Sequence, residues 1–196
     1  MTFAELDLSK TYSYADYLQW KFEEQIELIK GKIFRMSPAP VVSHQKVARN
    51  TFRQFDRYLE NKKCEVFFAP FDVRLIKNAA SKDEEIFSVV QPDICIVCDP
   101  NKLDKRGCLG APDLIVEITS QSTAKKDYDE KYHLYEQNGV KEYWIANPKG
   151  EEISVYFLDD NNQYKLVNHY ELGDQIPVNI FPELIVDTNK IFDFNK

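Results

Sequence analysis

No apolar run in this 196-residue chain approaches the roughly 18 residues that a membrane-spanning helix requires. Met1–Lys10 shows no signal-peptide pattern, so a cytoplasmic location is expected. An excess of positive charge is also lacking. The 25 Lys and Arg stand against 32 Asp and Glu, for a net charge of −7. Such a chain does not coat a polyanion through bulk electrostatics, so any such contact must come from cations gathered locally. Internal repeats, low-complexity tracts and linkers are absent, and residues 1–196 suit a single domain.

Cysteine is sparse: Cys64, Cys95, Cys98 and Cys108 are the only four. Cys95-x-x-Cys98 has the spacing of a zinc knuckle. However, residues three apart on a strand face opposite sides, and a knuckle needs a turn between them. All four are therefore expected to be core thiols. With 43% hydrophobic and 13% aromatic residues, the composition can supply a substantial core.

The chain is organised around Gln91–Thr119. Two short apolar runs, Ile94–Val97 and Leu114–Ile118, read as buried strands, each entered through a Pro-Asp step. Period-2 alternation places Asp113, Ile115, Glu117 and Thr119 on one face. Carboxylates at the ends of apolar strands need a partner or a metal ion, and Mg²⁺ is commonly held this way.

Elsewhere, Ser13 caps a short helix, Tyr14–Trp20, and Ile26–Ser37 forms two strands around Lys30-Gly31, closed by Pro38 and Pro40. Ser43 to about Asn61 is the longest helical pattern. Its apolar stripe is Ala48, Thr51, Phe52, Phe55, Tyr58 and Leu59, and Lys46, Arg49, Arg53 and Arg57 lie roughly opposite. Cys64–Ala69 and Asp72–Ile76 read as strands about a turn at Pro70, and Asn78–Glu85 as an exposed loop. Asp99–Gly110 reads as a mobile basic loop beside the carboxylates. Ser122–Asn138 reads as a helix stopped by Gly139, and Lys141–Ala146 as a strand. Glu151–Leu158 and Gln163–Tyr170 form a closing hairpin, with loop from Gly173. Together these give one α/β domain, a mixed sheet flanked by helices.

Pro92-Asp93, Glu117 and a later lysine resemble the metal-binding signature of the PD-(D/E)XK nuclease superfamily. The longer text, PDLIVEITSQST followed by DYDEKYHLYEQNGVKEYWIANP, resembles the Uma-type restriction endonuclease family of bacterial domains. That similarity runs from about Ser13 to about Leu184. It implies a restriction-endonuclease-like central mixed β-sheet flanked by helices, with an N-terminal β-hairpin and a C-terminal antiparallel hairpin.

The resemblance also implies a metal-dependent endodeoxyribonuclease leaving 5′-phosphates, with Asp93 and Glu117 as ligands of Mg²⁺, for which Mn²⁺ could substitute. The family pattern wants a lysine two residues after the glutamate, where this chain has Thr119. Lys125, Lys126 and Lys131 are the candidates to replace it. Lys131 shares a helix face with Tyr128 and Tyr135 and matches the family's helix lysine, so it is the chosen catalytic cation; a structural ion pair with Asp127 is its alternative. Glu27 and His44 match positions beside the family's cleft. Lys46, Arg49 and Arg53 would follow DNA phosphates, with an ordinary solvated helix face as the alternative. DNA is the expected partner, with no membrane and a homodimer left open. The competing reading is a non-catalytic DNA-binding or assembly protein on a nuclease fold.

Overall fold

The computed structural model describes residues 3–36, 41–76, 81–120 and 123–195. The chain runs α1 (Tyr14–Tyr17), β1 (Ile26–Ile29), β2 (Lys32–Arg35), α2 (Val42–Leu59), β3 (Glu65–Phe68), β4 (Val73–Arg74), β5 (Val89–Val90) and β6 (Ile94–Val97). It continues through β7 (Leu103–Asp104), β8 (Gly107–Leu109), β9 (Leu114–Ile118), α3 (Ala124–Lys126), a π turn (Asp127–Lys131), α4 (Tyr132–Asn138) and β10 (Glu142–Asn147). Last come β11 (Glu152–Leu158), β12 (Tyr164–Glu171), β13 (Gln175–Val178), β14 (Phe181–Asp187) and α5 (Thr188–Ile191).

β9 is apolar almost throughout because both its faces are covered, which removes the usual alternation. It is an interior strand of a six-stranded mixed sheet in the order β12-β11-β10-β9-β6-β3. β9 and β10 are parallel and joined by the helical segment α3–α4, as a parallel pair requires, and the other neighbours are antiparallel. Val47, Phe55 and Leu59 of α2 pack on one face, against Ile94, Leu114, Val116 and Trp144. Leu134 and Tyr135 of α4 cover the other face, together with a second six-stranded sheet in the order β2-β1-β5-β4-β8-β7. This is the mixed α/β architecture expected.

Local signals act as their chemistry dictates. Ser13 closes a capping box with Asp16 at the start of α1, which ends three residues earlier than its pattern suggested. Lys30 and Gly31 both take positive φ, 52° and 75°, the conformation of a two-residue turn that matches strand twist. Gly31 is also crowded: a Cβ there would lie 2.3 Å from Thr11 Cγ2.

Four expectations are corrected. Asp99–Gly110 is not a loop. β7 and β8 form a hairpin whose β8 pairs with β4, and Lys102 donates to the Ala111 carbonyl at 2.8 Å. From Gly173 onward, β13 and β14 pair and α5 follows. The Ser122–Asn138 helix is interrupted by the π turn. Cys64 and Cys98 are joined in a disulfide, leaving Cys95 and Cys108 as buried thiols. The physical reason is register: Glu65 pairs with Val97, which brings the next residue outward on each strand face to face. The closing loop at Pro38 and Pro40, the helix start at Ser122 and the loop start at Asn78 lie outside the described residues. Among the described residues, no helix is long and apolar enough to cross a membrane.

Candidate active site

Asp93 sits one residue before β6, where the strand's ladder to β9 is about to end. Ile94 pairs with Val116, and the next inward-facing donor on β9, the Ile118 N–H, is taken by Asp93 Oδ2 at 2.7 Å. The side chain thus continues the hydrogen bonding that proline denies to the backbone just before it. The other oxygen, Oδ1, lies 3.4 Å from His44 Nε2, delivered by the first turn of α2. Burial lowers the His44 pKa, but the adjacent Asp93 carboxylate outweighs it and the net shift is upward.

Glu117 enters the same cavity from β9. Its Oε1 accepts from Lys131 Nζ at 2.8 Å and from Tyr135 Oη at 2.6 Å. Both donors take Oε1, so Oε2 has no donor among the described residues. Lys131 is buried and is shared, reaching Glu27 Oε1 at 2.8 Å as well. Lys126 holds the other oxygen, Glu27 Oε2, at 2.7 Å. The Gln91 N–H adds a bond to Glu27 Oε1 at 3.0 Å and so ties β1 to the segment leading into Asp93.

The π turn explains how two lysines reach one carboxylate. Five residues apart on an α-helix, Lys126 and Lys131 would diverge by about 140°. An i→i+5 turn over Asp127–Lys131 stacks residues five apart and brings both to Glu27. In the sequence Lys126 is only a candidate beside the preferred Lys131, and Asp127 only an alternative partner for it, because a 3.6-residue period gives no sign of this insertion.

Glu27, His44, Asp93, Glu117 and Lys131 all line one cavity of about 280 Å³, together with Lys126 and Asp127. Other features singled out in the sequence lie elsewhere. Asp113 is not in the cavity. It accepts from the Cys98 N–H at 2.8 Å and from Lys141 at 2.7 Å, which fixes where β9 starts. Nor does the Asp99–Gly110 segment line it. Lys46, Arg49 and Arg53 are not brought there either. At 100° per residue they lie roughly opposite His44 on α2. Lys46 donates to the Phe194 carbonyl at 2.5 Å, and Arg49 and Arg53 line a separate groove of about 700 Å³.

The family model described as "Putative restriction endonuclease", Uma2, matches residues 14–189. The chain belongs to the Uma2 family. It is 24% identical over 164 residues to an uncharacterized protein of Synechocystis sp., covering 82% of this chain and 81% of that one. A second uncharacterized Synechocystis protein is 25% identical over 171 residues, 85% of each chain. Among solved structures, a "putative nuclease belonging to DUF820" from Anabaena variabilis superposes with a TM-score of 0.70 at 18% identity, covering 92% of this chain and 97% of that one. That superposition shows a shared fold.

In this Uma2 chain the cavity is charged unevenly. Four carboxylates, those of Glu27, Asp93, Glu117 and Asp127, face two ammonium groups and one imidazole. Glu27 resolves its share: burial would raise its pKa, but the Lys131 and Lys126 ammoniums hold it below its ordinary value. Glu117 does not. Burial pushes it up to about 8 against the pull of Lys131, with Asp127, Asp93 and Glu27 adding to the rise. Asp127 is pushed up to about 6, again by burial. Lys131 is raised, since the Glu117, Glu27 and Asp127 carboxylates outweigh the cost of burying it. Among the described residues, no three His, Cys, Asp or Glu side chains are grouped to hold a metal ion by themselves.

Proposed function

We propose that this cavity is the active site of a divalent-metal-dependent endonuclease that hydrolyses DNA phosphodiester bonds. One observation carries the reading. Once Glu117 gives up its proton, the cavity's four carboxylates exceed its two ammonium groups by the charge of one Mg²⁺, and among the described residues nothing donates to Glu117 Oε2. Mg²⁺ is usually bound through one or two carboxylates plus waters and substrate phosphates, so a complete protein cage is not needed. Asp93 and Glu117 would hold Mg²⁺ or Mn²⁺. Such an ion neutralises charge growing on a scissile phosphate and activates water for attack.

The chain's own residues do the rest. Lys131, fixed by Glu27, presents an ammonium that orients the nucleophile or stabilises the transition state. Lys126 keeps Glu27 in place on its far side. His44 pairs with Asp93 and, raised in pKa, can carry a proton at the cavity wall. Membership of a family described as "Putative restriction endonuclease" supports the substrate class. The test is supercoiled plasmid with Mg²⁺, Mn²⁺ or EDTA. Nicking with either metal and none in EDTA is expected. Absence of cutting with any divalent metal would leave the non-catalytic DNA-binding or assembly reading.

The elevated Glu117 pKa makes a second, independent expectation. Below about pH 8 this carboxyl carries a proton in the metal-free protein, and a cation must displace it. Mn²⁺ affinity should therefore rise as pH climbs toward 8 and then level off. Titration calorimetry at pH 7 in buffers of different ionisation enthalpy should report about one proton released per ion bound. A pH-independent affinity with no proton release would place the ion elsewhere.

A further inference from the structure

Phe68 ends β3, an edge strand, and its side chain is 60% exposed although it lines the cavity. An exposed phenylalanine alone signifies little. This one is held in a fixed pose. Its ring stands edge-on against Phe52 of α2, with centroids 5.0 Å apart and planes at 83°. Phe52 in turn packs against the core beneath α2. An edge-to-face pair anchors one ring through the other and leaves a flat face of the outer ring open.

Its position in the sheet matters more. β3 pairs with β6 so that Phe68 faces Ile94, the residue after Asp93, and the Ala69 N–H donates to the Asp93 carbonyl at 3.1 Å. Neighbouring strands lie about 4.8 Å apart. The ring and the Asp93 carboxylate thus hang from adjoining backbone positions and line the same cavity, as the base and the phosphate of one bound nucleotide would require. Ala48, Ala69 and Pro70 line the same cavity beside the ring. Meanwhile Lys126 and Lys131 are committed to carboxylates, and the chain as a whole is acidic. Affinity for a polyanion needs another source here. Stacking a base on an aromatic ring supplies roughly 10-fold per base, whatever the base.

We propose that Phe68 is a stacking platform for a nucleobase beside the cleaved phosphate, so that the preferred substrate is DNA with unstacked bases at the cut, such as a single strand or a flap. The proposal rests on the nuclease reading for its phosphate, but stacking is measurable without cleavage. The probe is a 12-nucleotide single strand carrying 2-aminopurine, compared with a blunt duplex of the same sequence, with Ca²⁺ replacing Mg²⁺. Wild type should bind the single strand more tightly than the duplex and quench the 2-aminopurine. Phe68→Ala and Phe68→Leu should each weaken single-strand binding about 10-fold and leave duplex binding unchanged, while Phe68→Trp should restore it. The leucine variant keeps an apolar contact with Phe52, which separates loss of stacking from loss of packing.

Single-strand binding unaffected by either variant, an equal loss on duplex, or no single-strand binding by wild type would each overturn the platform. So would a change in particle mass by light scattering with DNA affinity intact, which would assign the ring to a contact between copies of the chain. Cleavage of a flapped substrate with Mg²⁺ is scored separately. Quenching without cleavage removes the nuclease and keeps the platform, whereas cleavage without strand discrimination removes the platform alone.

Discussion

Lys131→Met is expected to lose about 10²-fold or more of metal-dependent cleavage, the scale seen when one transition-state donor is removed, while still folding and binding DNA. Both halves follow from the geometry. The ammonium touches Glu27 and Glu117 at 2.8 Å each, at the wall of the cavity the site residues share. Deleting one partner of a buried ion pair usually costs about 3–5 kcal/mol, because the other charge is left uncompensated. Here the remaining charges have an escape. Glu27 retains Lys126 at 2.7 Å, and Glu117, already pushed up to about 8, simply keeps its proton at neutral pH. The stability loss should therefore fall below that range, as measured by thermal melting at pH 7. If wild type cuts and the methionine variant cuts equally well, Lys131 is structural and Lys126 inherits the role, since Lys125 is exposed on the segment. Collapse of the fold at every pH would show that the pair with Glu117 is fully ionised.

Much of this arrangement was legible in the chain, for identifiable reasons. The two Pro-Asp strands announce themselves because proline marks a strand start and because β9 is buried on both faces. Glu117 stands out as a charge inside an apolar strand. Lys131 and Tyr135, four apart, do share a face and meet on Glu117 Oε1. What escaped depended on long-range register or on a break in local period. β7 and β8 are two and three residues long and exist through pairing with a distant two-residue strand, so a glycine- and lysine-rich text read as loop. The Cys64–Cys98 bond required the β3–β6 register. Lys126 required the π turn. The basic stripe of α2 was read correctly as a stripe, but nothing in its spacing says which way it faces relative to the carboxylates. His44, on the same helix, faces the cavity while Arg49 and Arg53 face a different groove.

Glu117→Gln is expected to raise stability while removing metal binding and at least 10²-fold of cleavage. Glutamine keeps an oxygen to accept from Lys131 and Tyr135, so the hydrogen bonds at 2.8 and 2.6 Å survive. It discards the charge that burial disfavours. In wild type the Glu117 pKa lies near 8 in the folded state, against 4.5 ordinarily. Between those values the native state holds a proton that the unfolded state has released, so wild-type stability falls as pH rises through this window. The glutamine variant has no such slope. Its advantage should be small near pH 5 and widen to about 1–2 kcal/mol at pH 8, which for a domain of this size is about 2–8 °C in melting temperature. A purely structural ion pair gives the opposite sign, because losing the carboxylate would leave Lys131 short of one partner and cost several kcal/mol. Melting curves at pH 5 and pH 8, run with and without Mn²⁺, distinguish the two outcomes. Mn²⁺ should stabilise wild type at pH 8 and leave the variant unmoved. A variant that is destabilised at both pH values, or that Mn²⁺ still stabilises, would remove Glu117 from the metal site.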